Sequence, residues 1–266
     1  MKKILTASIL LLSTMSTLAQ DRLFNYTYQS IVLNKGVKEL EVSTNVLSGK
    51  TNYYREIQNR VEYEVGLGSK LQTAFYLNSK QKAYFDAVTG EIVMDATEIS
   101  VSNEWKYKFS DPLANRIGFA GYAEFTVATD ELEIELKAIF DKIIGKTTHA
   151  VNLTFEPEWK TTTLNGKVVT STELKYDFNY AFSYELNKNW SFGAEIIDRN
   201  VYIKNDKITH SALFAGPTFG FHMNNFWANV SVSPQVVGIN NPNNSSGLNV
   251  DEFTKMDSRL IFSYTF

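Results

Sequence analysis

Glu131-Leu132-Glu133-Ile134-Glu135 sets three carboxylates at every second residue. In an extended chain they share one face at steps of roughly 6.6–6.8 Å. Such a row could hold a hard cation such as calcium; a solvated acidic wall is the simpler account. The histidines are His149, His210 and His222. His210 adjoins Ser211, the residue pair a lipid hydrolase needs. Neighbours on a strand point to opposite faces, so these two cannot form a dyad within one strand. Asp206 and Asp251 with His210 are the remaining grouping, one that a surface protease could use. No Gly-rich phosphate loop, helix-borne metal motif or nucleotide fingerprint occurs. The chain reads as non-enzymatic, with no catalytic, cofactor-binding or metal residues assigned.

The elements that must carry these side chains are strands. Thr172-Leu174-Tyr176-Phe178-Tyr180-Phe182-Tyr184 alternates with Glu173, Lys175, Asp177, Asn179, Ala181, Ser183 and Glu185, and period two marks a strand with one apolar face. Similar alternation predicts strands near 37–48, 56–66, 71–84, 96–109, 116–127, 131–143, 149–160, 171–186, 190–203, 211–223, 226–239 and 256–266. Most exceed the usual soluble length of about 5–6 residues and match the roughly 9–11 that cross a bilayer as a tilted strand. Short Gly- and Asn-rich turns, such as 66–70, 186–189 and 223–225, alternate with longer polar connections at 49–55, 78–95, 161–170, 204–210 and 240–255. That asymmetry is the pattern of a closed up-and-down transmembrane barrel, all-β and about 12-stranded. Segment 131–143 also fits a helical stripe through Leu132, Leu136, Ile139, Phe140 and Ile143. The strand is preferred because a helix there leaves an odd strand number.

Composition agrees and excludes rivals. The 266 residues include no cysteine, so disulfide frameworks and thiolate chemistry are out. A net charge of -3 argues against nucleic-acid binding. Lys2 and Lys3, the apolar run Ile4 to Leu12 and Thr17-Leu18-Ala19 compose a signal peptide over 1–19. Residues 20–36 are taken as an N-terminal periplasmic segment, with a place inside the bore, outside it or disordered in the periplasm all left open by the sequence, and 37–266 as the barrel. No later run approaches the 18 or so apolar residues of a spanning helix.

In a membrane barrel the apolar face meets lipid and the polar face the lumen. The lumen would hold Glu39, Glu41, Glu62, Glu64, Glu98, Glu104, Glu124, Glu131, Glu133, Glu135, Glu156, Glu158, Glu173, Asp177, Glu185, Glu195 and Asp257. Against them stand Arg60, Lys106, Lys108, Arg116, Lys137, Lys160, Lys175 and Arg259, so acid exceeds base about two to one. Two readings follow: a channel that prefers cations or neutral solutes, or a bore filled by salt bridges. The channel is preferred because pairing alone would leave many carboxylates without partners. Trp105, Phe109, Trp190, Phe226 and Trp227 near short turns, and Tyr53, Tyr54, Trp159 and Tyr202 near long loops, are expected to form interfacial girdles.

The chain ends Ser258-Arg259-Leu260-Ile261-Phe262-Ser263-Tyr264-Thr265-Phe266. Leu260, Phe262, Tyr264 and the terminal Phe266 resemble the last strand of Gram-negative outer-membrane barrels. That resemblance implies an outer-membrane location, contact with its lipid, and an assembly signal read by the barrel-assembly machinery. Asn34-Lys35-Gly36-Val37-Lys38-Glu39-Leu40-Glu41, Asn152-Leu153-Thr154-Phe155-Glu156-Pro157-Glu158-Trp159 and Leu213-Phe214-Ala215-Gly216-Pro217-Thr218-Phe219 look like stretches of uncharacterised Bacteroidota barrels of the phenol-degradation-pathway-like or transporter kind. This second resemblance implies a transport pore and names no solute. The sequence thus points to passive transport of small solutes. Its rivals are a non-conducting structural or surface-interaction barrel and, behind it, an outer-membrane hydrolase.

Overall fold

The computed structural model describes residues 22–202, 208–239 and 247–266; the expected signal peptide, Asp206 and part of the 240–255 loop lie outside them. The strands run β1 (Lys38–Ser48), β2 (Tyr54–Gly66), β3 (Leu71–Asp86), β4 (Glu91–Met94), β5 (Glu98–Ser110), β6 (Gly118–Val127) and β7 (Glu131–Ile144). They continue with β8 (Thr147–Leu164), β9 (Lys167–Asn187), β10 (Trp190–Tyr202), β11 (Ile208–Met223), β12 (Phe226–Ile239) and β13 (Met256–Thr265). Strand β4 is a short arm paired only with the outer end of β3. The other twelve form one antiparallel cylinder. Its seam is β1 on β13, in register from Glu39 opposite Thr265 to Ser48 opposite Met256. Phe266 N donates to the Lys38 carbonyl at 2.9 Å, and Lys38 N returns a bond to Phe266 O at 3.2 Å. Closure pairs both edges of the twelve-stranded cylinder, which a backbone in hydrocarbon requires; free edges remain only on the β4 arm and the outer β8–β9 extension among the described residues.

The pleat sorts the side chains as alternation demands. Leu40, Val42, Phe75, Leu77, Phe178 and Phe192 are exposed on the outside, while Glu39, Glu41, Glu62, Glu104 and Glu195 are buried inside. An apolar exterior around a polar interior suits lipid outside and not water. Segment 131–143 forms β7, paired with both β6 and β8, so period two prevails over the helical stripe.

The aromatic girdle at the short-turn end is continuous over parts of the circumference. Phe109, Phe119 and Phe140 stack at centroid distances of 5.0 and 4.9 Å. Trp190, Phe221, Phe226 and Phe262 follow one another at 4.7, 6.3 and 6.3 Å. Trp227 does not belong to it. It points inward, is buried, and donates its indole N–H to Glu39 Oε1 at 3.0 Å.

Two expectations about connections change. Residues 161–170 are not a loop: β8 and β9 continue to a two-residue turn. Asn165 (φ 51°) and Gly166 (φ 73°) occupy the left-handed region that such a hairpin turn requires. Likewise β3 runs on to Asp86 and folds back as β4. In the turn at 111–117, burial opposes ionisation of Asp111, yet the Lys108 ammonium at 2.7 Å and the Leu113 amide at 3.0 Å hold its carboxyl below the ordinary range.

Candidate functional site

The bore is not empty. Residues 22–33, taken from sequence as periplasmic, are enclosed by the strands, with Phe24, Asn25, Thr27 and Ser30 fully buried. The segment enters at the short-turn rim. There the carbonyls of Asn34 and Leu33 pass so close to Gly66 that a Cβ would lie 2.1 and 2.6 Å from them. Gly118 leaves similar room beside Ser30 and Asp141. Inside, the segment forms no strand of the sheet; side chains of the wall hold its backbone instead.

Glu195 is the principal holder. Its carboxylate accepts the amides of Asn25 (3.1 Å), Tyr26 (2.9 Å) and Thr27 (2.8 Å). Consecutive amides converging on one anion form a backbone nest. Asn152 mimics a strand partner, accepting from Tyr28 N at 2.6 Å and donating to Tyr28 O at 2.9 Å. Gln72 Oε1 accepts from Leu33 N at 2.9 Å, and Ser30 Oγ donates to Asp141 Oδ1 at 2.6 Å. Arg259 Nη1 donates to Asn25 O at 3.0 Å, and the Tyr26 hydroxyl donates to Asp257. Small wall residues make space for the apolar side chains. Leu23 and Phe24 pack on Ala150 and Ala181, and Tyr28 packs with Ala120, Tyr122 and Ile139. Burying one such aromatic side chain contributes roughly 1.5–3 kcal/mol.

Above the segment lies a vestibule of about 680 Å³ that reaches the long-loop rim at Lys80, Glu98 and Asp130, with Tyr26 and Tyr28 among its lining. Its acids are Glu98, Asp130, Glu131, Glu133, Glu135 and Asp177; its bases are Arg60, Lys80, Lys137, Arg199 and Arg259. Six against five is near balance. Many of these charges pair. Arg60 meets Glu124 at 3.1 Å, Arg199 meets Asp257 at 2.8 Å, and Lys137 bonds Glu135. Lys175 reaches Glu156, Glu158 and Glu133 at 2.5, 2.7 and 3.8 Å. The surplus of acid lies deeper, where Glu39, Glu41, Glu62, Glu64 and Glu104 stand on β1, β2 and β5.

Nearly all residues assigned to the lumen face it. Glu62, Glu104, Lys106, Glu124 and Glu195 are buried, and Glu64, Glu133, Glu135, Lys137, Glu156, Glu158, Glu173, Lys175, Asp177 and Arg259 are half-buried. Arg116 is exposed in the 111–117 turn, because β6 begins only at Gly118, and Glu98 and Glu185 are exposed near the ends of β5 and β9. Leu260, Phe262, Tyr264 and Phe266 are exposed on the outer face of the last strand and its end. His210 packs edge-on against Phe253 at 5.4 Å, whereas the Ser211 hydroxyl donates to Asn200 at 2.7 Å. Charge counting missed Gln72, Asn152 and Asn229, the neutral polar holders of the inner segment. Their signal was present: inward amides have no use in an ion-lined wall but suit a peptide backbone.

A closed twelve-stranded antiparallel cylinder with an apolar exterior is the fold of outer-membrane β-barrels, and solved structures of that class share it. The chain belongs to a family of unknown function, DUF6662, which matches residues 16–266. The translocator domain of the autotransporter NalP from Neisseria meningitidis aligns with TM-score 0.56 at 12% identity, over 88% of this chain and 90% of that one. The β domain of the Bordetella autotransporter BrkA gives 0.53 at 9%, over 88% and 100%. The NanC porin gives 0.52 at 11%, over 85% and 98%. No curated protein sequence matches the chain.

Proposed function

We propose that this barrel is a passive outer-membrane channel for small hydrophilic solutes, closed in this state by its own residues 22–33. The observation that carries the reading is the manner of closure. A polar vestibule leads from the surface rim to a segment held by side chains rather than by strand ladders. Such an occlusion can be released without unfolding the wall. With the segment displaced, the deeper acidic surplus lines the path and favours cations or neutral solutes over anions. No covalent step, cofactor or energy source is involved, and the NanC porin of similar fold is itself named a porin. The outward residues Leu260, Phe262, Tyr264 and Phe266 serve as the signal for the barrel-assembly machinery.

The buried Phe24 favours a second reading, a non-conducting structural or surface-interaction barrel in which the filling is permanent. Planar-bilayer recording separates the two. The natural chain should open briefly, and Glu195→Ala should open for longer with a cation-leaning reversal potential. Silence from both proteins establishes the second reading, and anion preference rejects the proposed lumen chemistry.

A further inference from the structure

We infer that Glu41, Glu62 and Glu64 bind one hard divalent cation beneath the inner segment. This holds whether or not the bore conducts. The β1–β2 register sets Glu41 opposite Glu62 and Glu39 opposite Glu64, an arrangement of like charges that cross-strand pairing disfavours. Most neighbouring carboxylates have donors. Glu39 accepts from Trp227, Ser263 and Thr265, Glu64 accepts from Gln72 at 2.9 Å, and Glu104 accepts from Tyr76. The facing pair does not share this provision. Glu41 is 1% exposed and Glu62 2%, and Glu41 Oε1 and Glu62 Oε2 are buried with no hydrogen-bond donor. Arg22 Nη1 stands 3.6 Å from Glu41 Oε1, an ion pair beyond hydrogen-bond reach, and commits Nε and Nη2 to the carbonyls of Phe24 and Asn25.

One oxygen from each of Glu41, Glu62 and Glu64 lies within 4.8 Å of the others. Oxygens about 2.4 Å from a common ion stand at most about 4.8 Å apart, so the three fit one coordination sphere of calcium type, with water completing it. A doubly charged ion gives Glu62 Oε2 the partner it lacks, adds to the long Arg22 contact at Glu41 Oε1 and relieves the like-charge register together. The other acidic trio, Glu131, Glu133 and Glu158, is half-buried and already met by Lys160 and Lys175. Beside Arg22, the ion would brace β1 against β2.

The test is calcium titration of the folded, chelator-treated chain in detergent by calorimetry, with heat-modifiable gel migration verifying the barrel. One calcium per chain should bind, and affinity should fall about tenfold or more in Glu62→Gln and Glu41→Gln while Glu133→Gln binds as the natural chain does. Should Glu62→Gln not fold, Glu41→Gln decides alone. Absence of uptake by the natural chain, affinity retained in the Glu41 and Glu62 variants, or loss confined to Glu133→Gln overturns the inference.

Discussion

Glu195→Gln should loosen the inner segment while leaving every strand ladder intact. Glu195 is fully buried and accepts three consecutive amides at 2.8–3.1 Å. A hydrogen bond to an ionised acceptor contributes about 1.5–3 kcal/mol, against about 0.5–1.5 kcal/mol for a neutral one. Gln keeps one carbonyl oxygen, which can still accept the Tyr26 and Thr27 amides at a loss of roughly 1 kcal/mol each, while its NH2 group leaves the buried Asn25 amide without an acceptor at a cost of roughly 1–3 kcal/mol; the sum is about 3–5 kcal/mol, or at least roughly a 150-fold rise in the displaced population. The chain lacks cysteine, so Thr27→Cys supplies a single thiol at the held segment. Thr27 Oγ1 is buried without a hydrogen-bond partner, so that replacement removes no bond. The rate at which a bulky polar maleimide labels this thiol reads the displaced fraction, because a buried thiol reacts only from the open state. Labelling should accelerate about 100-fold in the Glu195→Gln background, and an acceleration below about threefold would refute the holding role of Glu195.

Gly66→Ala should strain the entry of the segment, since its Cβ would meet the Asn34 and Leu33 carbonyls, and should lower stability by roughly 1–3 kcal/mol; an unchanged thermal midpoint counts against this route. Trp227 should escape quenching by brominated lipid chains that quench the outward Trp105 and Trp190, and equal quenching would return Trp227 to the girdle. Deleting Phe266 removes two seam hydrogen bonds, worth roughly 0.5–1.5 kcal/mol each, and an outward aromatic. Slower insertion by the assembly machinery is expected, and normal insertion with a normal yield would remove its signalling role. Glu133→Gln with Glu135→Gln should weaken cation preference in bilayer recordings, whereas unaltered selectivity makes both residues purely structural.

Period two made the wall legible, including β7, where a helical stripe competed. The alternation puts Glu62, Glu104 and Glu195 on the inner face, and all three are buried. The strand ends were less legible. Phe226 and Trp227 are adjacent, and both suit an interface by composition; Trp227 shares the inward phase of Asn229, Ser231 and Ser233 along β12, and its aromatic character masked that phase. Arg116 failed for a different reason, because it precedes the first residue of β6. The inner segment was hidden more deeply, since no periodicity marks a chain held by side chains from many strands. Its composition was the clue: Leu23, Phe24, Tyr26, Tyr28 and Val32 are too apolar for a free aqueous tail.

The cork and the seam are one piece of polypeptide. Residues 34–37 alone separate the segment inside the cylinder from β1, the strand that meets β13 at closure. Whatever tugs on the stretch ahead of β1 therefore pulls directly on the joint that closes the cylinder. Biogenesis must coordinate threading with sealing, and mechanical traction from the inner compartment would be felt first where the cylinder began.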